Sequence, residues 1–137
     1  MSDIRPYDEA QFGEVDALWQ RAFPEDPPYS RASIAIPAKL GVQRELFLVA
    51  IEGERVAGTI MAGYDGHRGW LYKLAVDPNA RRCGIGTHLV RAAEARLAAL
   101  GCIKINLQVR LSNEQVAAFW RRLGYETQPI LSMGKRL

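Results

Sequence analysis

Apolar residues recur along this chain at two spacings, one typical of helices and one typical of strands. From residue 8 to 22 they fall three or four positions apart, which predicts an amphipathic helix with Asp8 as its N-cap. A second helical stretch is expected at about 30–40, although Pro37 interrupts it. Compact or alternating apolar runs predict five strands, at residues 4–6, 46–51, 55–64, 70–77 and 103–109.

The second half of the chain carries two more helical patterns. A long amphipathic helix is predicted at 84–100 and a shorter one at 113–123, each closed by a glycine. Residues 125–137 are expected to form a final strand pair. The predicted order is β-α-α-β-β-β-α-β-α-β, an α/β (α+β) arrangement in which helices flank a mixed, mostly antiparallel sheet, within one domain over residues 1–137.

Composition narrows the class of protein. With 137 residues, 48% of them hydrophobic, the chain can bury a core without disulfides or a metal. It shows neither a membrane-length apolar run nor an N-terminus like a signal peptide, so we expect a cytoplasmic protein without membrane contact. Cys83 and Cys102 lack metal or redox spacing, which favours a reduced compartment and no metal. A net charge of +3 is too small to indicate nucleic-acid binding.

The segment with the most chemical information joins the strand at 70–77 to the helix at 84–100. Here Arg81-x-x-Gly84-x-Gly86 stands at the first helical turn, where backbone N–H groups lack internal partners and the helix dipole is positive. Glycines let a ligand approach the backbone closely, so the segment predicts a phosphate or pyrophosphate site. A Walker loop would need a Lys-Ser or Lys-Thr pair after the glycines. A dinucleotide fingerprint would need a glycine in place of Leu89.

Arg81-x-x-Gly84-x-Gly86 resembles the acyl-CoA pyrophosphate loop of the GNAT (Gcn5-related) N-acetyltransferases. The preceding strand and turn, 74–78, and two later segments, 109–113 and 119–125, resemble the same family in the same order. Within the family, Val-Arg-x-Ser-Asn at 109–113 is similar to the RimI-like branch, and the whole chain is similar to small bacterial members of the YpeA type. The resemblance implies the GNAT fold, acetyl-CoA as co-substrate, and transfer of an acetyl group to a primary amine.

The resemblance also implies which residues bind the cofactor. Backbone groups of 74–76 would pair with the pantetheine arm, the loop would bind the pyrophosphate, and a divergence from the strand at 103–109 would admit the acyl end. Asn113 would bond the pantetheine or lie near the substrate, and it is equally suited to cap the helix that follows. Cys83 departs from the common loop, and its thiol is either reactive or a small filler. The implied cofactor-binding residues are Leu74, Ala75, Val76, Arg81, Arg82, Cys83, Gly84, Ile85, Gly86, Thr87 and Asn113.

The catalytic half of the family pattern is not repeated in this chain. RimI-like enzymes place a glutamate base and a tyrosine acid where this chain has Gln108 and Trp120, and neither side chain transfers a proton near neutral pH. His67 is a residue type suited to a base, although its glycine-rich turn is typical of an exposed loop. Tyr72 is either a core aromatic or an acid facing the thiolate, and a solvent-mediated route is open as well. The candidate catalytic residues are Asn113, Tyr72, His67 and Glu45.

These observations leave two functions in competition. The first is an acetyl-CoA-dependent N-acetyltransferase that acts by direct transfer in a ternary complex, with a small molecule, a peptide, a protein N-terminus or a lysine as acceptor. The second, suggested by Gln108 and Trp120, is a catalytically weak acyl-CoA-binding or sensor domain. No motif names the acceptor or the oligomeric state, and a homodimer is compatible with the resemblance.

Overall fold

A computed structural model describes residues 3–80 and 84–137 of the chain. It divides into a larger compact unit, Met1–Leu107, and a smaller one, Gln108–Leu137. The single domain expected from the sequence stays a prediction.

The larger unit is built on a five-stranded sheet with the spatial order β1-β2-β3-β4-β5. The first four strands are antiparallel to their neighbours, and β5 runs parallel to β4. The predicted α+β class with a mixed, mostly antiparallel sheet is confirmed. The strands are β1 (Asp3–Pro6), β2 (Phe47–Glu52), β3 (Arg55–Tyr64), β4 (Gly69–Val76) and β5 (Ile105–Asn106).

Helices cover both faces of this sheet. On one face, α1 (Phe12–Ala22) and α2 (Ala32–Leu40) pack against Phe47 and Val49 of β2 in one buried cluster. Strand side chains alternate between faces, and the other face receives α3 (Ile85–Ala99), which places Leu89 beside Gly58 of β3. No helix in the described part of the chain is long and apolar enough to cross a membrane.

The first helical region begins as its sequence predicts. The Asp8 carboxylate accepts from the Ala10 N–H at 2.8 Å, and the Gln11 side chain accepts from the Asp8 N–H at 2.9 Å. This reciprocal capping box opens a short 3-10 helix, Glu9–Gln11, that leads directly into α1.

Helix α2 differs from expectation because it runs through Pro37 without a break. The proline removes one backbone donor, but the helix is held from its sheet side by the buried residues Ala32 and Ile36. Near its end, the Lys39 ammonium donates to the Ala62 carbonyl of β3. Packing therefore stabilises a helix that local sequence alone would end early.

Strand β5 is much shorter than the predicted strand at 103–109. Gly101, with φ +94°, ends α3 in a tight turn, in which the Cys102 N–H still donates to the Leu97 carbonyl at 3.1 Å. The chain therefore first meets the sheet at Lys104, whose carbonyl accepts from the Gly69 N–H at 2.9 Å. Ile103, expected on the buried face of a strand, is 94% exposed instead.

The smaller unit contains α4 (Glu114–Arg122), and its remaining described residues form no strand. The predicted strand pair at 125–137 is therefore wrong. Pro129 has no N–H to donate to a ladder, and nearby apolar side chains, including Leu131 and Met133, are largely exposed. A strand requires a partner edge, and these residues pair with none in the described chain.

The close approach of β3 and β4 at Gly58 yields a stability prediction. A Cβ at this position would lie 2.8 Å from the Ala75 carbonyl oxygen and 3.0 Å from Leu89 Cδ1. Gly58→Ala should lower the free energy of unfolding by about 2 kcal/mol through overpacking, as measured by urea denaturation. As a control, Gly13→Ala on the exposed face of α1 meets no atom within 4 Å and should raise it by about 0.5 kcal/mol. Equal effects at both positions would contradict this packing.

Candidate active site

Strand β4 has a strand partner along only part of one edge. It pairs with β3 over most of its length, whereas β5 meets it only at Gly69 and Trp70. Beyond that point, over residues 71–76, no strand of the described chain flanks β4 on the β5 side. Backbone polar groups on this edge are therefore available to an extended ligand, immediately before the chain turns toward α3.

Within this open stretch, β4 carries a β-bulge. The pairing with β3 gains one residue on β4, so that Lys73 and Leu74 both lie opposite Ile60. Lys73 has φ 56°, in the left-handed region, which costs a residue with a side chain about 1 kcal/mol. Bulges bend a strand and redirect its groups, and they are frequent beside active sites.

A fully buried hydroxyl holds this bulge from the β3 side. Thr59 Oγ1 donates to the Lys73 carbonyl at 2.8 Å and accepts from the Trp19 indole Nε1–H at 2.9 Å. This contact was not predicted from the sequence. Its signal was a lone hydroxyl in an apolar strand and a tryptophan on the buried stripe of α1, because each needs a polar partner when buried.

The side chain of Lys73 makes a second set of contacts that stabilises the bulge. Its ammonium forms an ion pair with the Asp26 carboxylate, and the two side chains are only 11% and 17% exposed. The same ammonium lies 5.0 Å from the ring centroid of Trp19 and 4.8 Å from that of Phe23, within the range of cation–π attraction. A shielded charge that loses its partner is costly, so this pair ties the segment after α1 to the bulge in β4.

The turn after β4 is held by Asp77. Its N–H donates to the Ala57 carbonyl of β3 at 2.8 Å, and its carboxylate accepts from the Asn79 N–H at 2.9 Å. Its carbonyl accepts from the Ala80 N–H at 3.0 Å. Backbone bonds thus determine the turn as far as residue 80.

The amides predicted to bind a pyrophosphate stand at the start of α3. Gly84 has φ +87°, which favours glycine, and no atom lies within 4 Å of the position a Cβ would take. Its carbonyl accepts from the His88 N–H at 2.9 Å, so the N–H groups of 85–87 belong to the first turn and have no intrahelical acceptor. Three residues of the predicted loop lie outside the described residues, namely Arg81, Arg82 and Cys83.

Among the candidates for proton transfer, Tyr72 lies on β4 itself, next to the bulge. It is 49% exposed and stacks on Trp70 with ring centroids 6.4 Å apart, so it is not a core aromatic. Partial burial and the nearby Asp65 carboxylate raise the pKa of the Tyr72 phenol. The phenol therefore stays protonated at neutral pH, as a proton donor must.

His67 and Glu45 lie on exposed segments. The His67 N–H donates to the Asp65 carboxylate at 2.7 Å inside the turn before β4, and its ring contacts the Arg68 guanidinium. Glu45 is exposed and belongs to a short 3-10 helix, Arg44–Leu46, in which Leu46 is buried. In the described chain, no hydrogen bond or ion pair joins either residue to Tyr72.

Asn113 and Gln108 belong to the smaller unit. Asn113 caps α4 by accepting from the Val116 N–H at 3.2 Å, so its structural role is confirmed while its role toward a ligand stays a prediction. The Gln108 amide donates to the Ser132 hydroxyl. Neither contact provides a group that titrates near neutral pH.

Trp120 is the packing centre of the smaller unit. It is 7% exposed and meets the rings of Phe119 and Tyr125 edge to face, with centroids 5.3 and 5.2 Å away. Such pairs add to burial, so a large aromatic here stabilises the unit whatever its role in chemistry.

Comparison with known proteins decides the family. Residues 12–125 match the model of the Acetyltransferase (GNAT) family. The chain belongs to this family. Acetyltransferase YE1169 of Yersinia enterocolitica is 39% identical to this GNAT chain over 137 residues, and the match covers 98% of this chain and 95% of that protein.

Solved structures share the fold at low sequence identity. Ard1 from Thermoplasma volcanium matches with a TM-score of 0.83 at 22% identity, over 93% of this chain and 84% of that one. The enzyme AAC(6')-Iy in complex with the bisubstrate analog CoA-S-monomethyl-acetylneamine matches with a TM-score of 0.79 at 17% identity, over 100% and 99% of the two chains. At these identities the likeness establishes the fold.

The surroundings of Tyr72 predict a measurable titration. Because its pKa is raised in the folded state, the phenol should ionise above the ordinary tyrosine value. Ionisation is then easier in the unfolded chain, so the free energy of unfolding should fall as the pH rises beyond about 10. Asp65→Asn should lower the pKa of Tyr72 without abolishing the shift, since burial is the larger cause. NMR titration of ¹³C-labelled tyrosine measures this. Tyr7 is the control, because its raised pKa depends on burial, Glu9 and Asp8. A Tyr72 pKa unmoved by the substitution would contradict the assignment.

Proposed function

We propose that this GNAT protein transfers the acetyl group of acetyl-CoA directly to a primary amine within a ternary complex. The observation that carries the proposal is the presence of two sets of backbone groups that suit an extended ligand with a pyrophosphate. One set lies along the open edge of β4, before the Asp77 turn, and the other consists of the amides at the first turn of α3.

The residues present suit acetyl-CoA on chemical grounds. The amides of 84–87 would hold the pyrophosphate beside the positive end of the α3 dipole, where Gly84 leaves space for its approach. The backbone of 74–76 would pair with the amides of the pantetheine arm, as a strand does with an exposed edge. We propose the same ligand for Arg81, Arg82, Cys83 and Asn113. When bound, acetyl-CoA supplies a thioester with an activated carbonyl carbon and a thiolate leaving group.

The reaction needs one group that accepts a proton and one that donates a proton. As the amine nitrogen bonds to the carbonyl carbon and the C–S bond breaks, one proton leaves the nitrogen and one is needed by the thiolate. We propose Tyr72 as the donor to the thiolate, because a tyrosine phenol is protonated at neutral pH and Tyr72 belongs to the open stretch of β4. His67 and Glu45, both solvent-exposed, are proposed to take the amine proton through water.

The class of acceptor is proposed from chemistry and likeness together. The bisubstrate analog bound by AAC(6')-Iy joins CoA to an amine-bearing small molecule, which supports an amine acceptor on this fold. Small molecules, peptides and protein amines all remain within the proposal. We further propose one catalytic domain over residues 1–137 and a cytoplasmic setting, the latter because the cysteines lack disulfide or metal spacing.

A second candidate function is favoured by one observation. At the two positions where related enzymes carry a base and an acid, Gln108 and Trp120 are engaged in contacts within the smaller unit. A domain that binds acyl-CoA as a sensor, with weak or no turnover, would need neither group.

Thiol release distinguishes the two functions. Purified protein is incubated with acetyl-CoA and a panel of aminoglycosides, polyamines and peptides with free N-termini, and free CoA is measured with a thiol reagent. The proposed enzyme should release CoA faster with at least one amine than with buffer alone. Micromolar binding of acetyl-CoA without amine-dependent release would favour the sensor.

The start of α3 provides a direct test of cofactor binding. Gly84→Glu should weaken acetyl-CoA binding by about 100-fold or more, because the substitution adds bulk and a like charge beside the pyrophosphate. Gly101→Glu is the matched control, since Gly101 also has a positive φ of +94° and open space but stands beyond the far end of the same helix. Calorimetry should give the wild-type dissociation constant for Gly101→Glu. Equal losses in both variants would contradict the assignment of the ligand to this end of α3.

A further inference from the structure

The bulge in β4 is held more firmly than packing of a strand requires. Lys73 adopts a left-handed conformation although it is neither glycine nor asparagine. Its carbonyl is bound by Thr59, and its ammonium is bound by Asp26 and covered by the rings of Trp19 and Phe23. Separate contacts on the main chain and the side chain thus maintain one unfavourable backbone angle.

These contacts also orient the neighbouring amide. The peptide bond between Lys73 and Leu74 is planar and trans, as are all peptide bonds described here, so its C=O and N–H point in opposite directions. The Thr59 hydroxyl draws the carbonyl toward β3 and α1. The Leu74 N–H is thereby directed away from β3, toward the edge of β4 that has no strand partner in the described chain.

We propose that Lys73, Thr59, Trp19 and Asp26 form a positioning cluster that aims the Leu74 N–H at the acyl carbonyl of the bound donor. The inference rests on the proposed function, because it assigns the open edge of β4 to acetyl-CoA. None of the four side chains touches the reacting atoms. They act through the backbone, by keeping a hydrogen-bond donor in place before the ligand arrives.

The cluster has a chemical consequence for the thioester. A preorganised N–H at the carbonyl oxygen stabilises the negative charge that develops there as the amine attacks. If the hydroxyl of Thr59 is removed, the Lys73 carbonyl and the Trp19 indole both lose their buried partner, and the bulge is free to relax. Binding of the pyrophosphate at α3 depends on other amides and should be retained.

Isotope-edited infrared spectroscopy tests the cluster without requiring turnover. Acetyl-CoA labelled with ¹³C at the carbonyl is bound to wild type, Thr59→Val, Thr59→Ser and Asp26→Asn, with CoA affinity measured alongside by calorimetry. In wild type the thioester carbonyl band should shift to lower frequency than in free acetyl-CoA. Thr59→Val should lose most of that shift at unchanged CoA affinity, and Thr59→Ser, which keeps the hydroxyl, should retain it. Asp26→Asn should lose part of it.

Kinetics and amide exchange complete the experiment. With an amine acceptor identified, kcat of Thr59→Val should fall by about 100-fold with little change in KM for acetyl-CoA, and Thr59→Ser should restore it. In the unliganded protein, exchange of the Leu74 amide should change in Thr59→Val, while exchange at Val90 of α3 should not. Should Thr59→Val fail to fold, Asp26→Asn carries the same test.

The outcomes separate the two proposals. No acetyl-CoA binding by folded wild type would overturn the proposed function. If Thr59→Val and Asp26→Asn bind acetyl-CoA as wild type does and show the wild-type shift of the carbonyl band, the positioning cluster is overturned and the proposed function stands.

Discussion

The hydroxyl of Thr59 lies where three elements of the larger unit meet. It accepts from Trp19 of α1 and donates to the Lys73 carbonyl of β4, while its own backbone belongs to β3. Because the side chain is fully buried, water cannot reach these polar groups, and the two bonds satisfy them instead. The bulge in β4 and the contact of α1 with the sheet both depend on this small polar centre within an apolar core.

Binding of acetyl-CoA and transfer of protons require different kinds of groups. In the proposed complex acetyl-CoA is bound by backbone groups, at the open edge of β4 and the first turn of α3, and the side chains there need only leave space or pack. Proton transfer requires particular side chains. Gln108 and Trp120, at the positions where related enzymes have a base and an acid, serve contacts inside the smaller unit instead. The proposed site therefore combines backbone groups suited to the cofactor with the absence, at residues 108 and 120, of the base and acid that the family resemblance implies.

Local chemistry predicted most elements of the larger unit. Strand 55–64 has the predicted bounds, and α3 lies within one residue of its predicted ends, because hydrophobic periodicity and terminal glycines decide such elements locally. The bulge in β4 could not be predicted from local sequence. It depends on a bond between Trp19 and Thr59, 40 positions apart, and on a left-handed angle at a lysine, which has no preference for that region.

Two strand predictions, for residues 103–109 and for the pair at 125–137, differ from the structure for a related reason. Alternating apolar residues at 103–109 are compatible with a long strand, yet the turn after α3 brings the chain to the sheet only at Lys104, and only Ile105 and Asn106 pair with β4. Residues 125–137 include apolar positions, but a strand also needs an edge to pair with, which a sequence pattern does not reveal. Asn113 shows the opposite case, because its capping bond to Val116 follows from local sequence while any contact with a ligand does not.

A crystal structure of the protein with acetyl-CoA would decide whether the open edge of β4 binds the acetyl donor. The pyrophosphate should lie on the amides of 84–87 and the pantetheine arm along the open edge of β4. The thioester carbonyl should accept from the Leu74 N–H, with the Thr59–Lys73 bond and the left-handed angle at Lys73 unchanged. A donor bound away from this edge, or a bulge that straightens and releases Thr59 when the donor binds, would contradict this prediction.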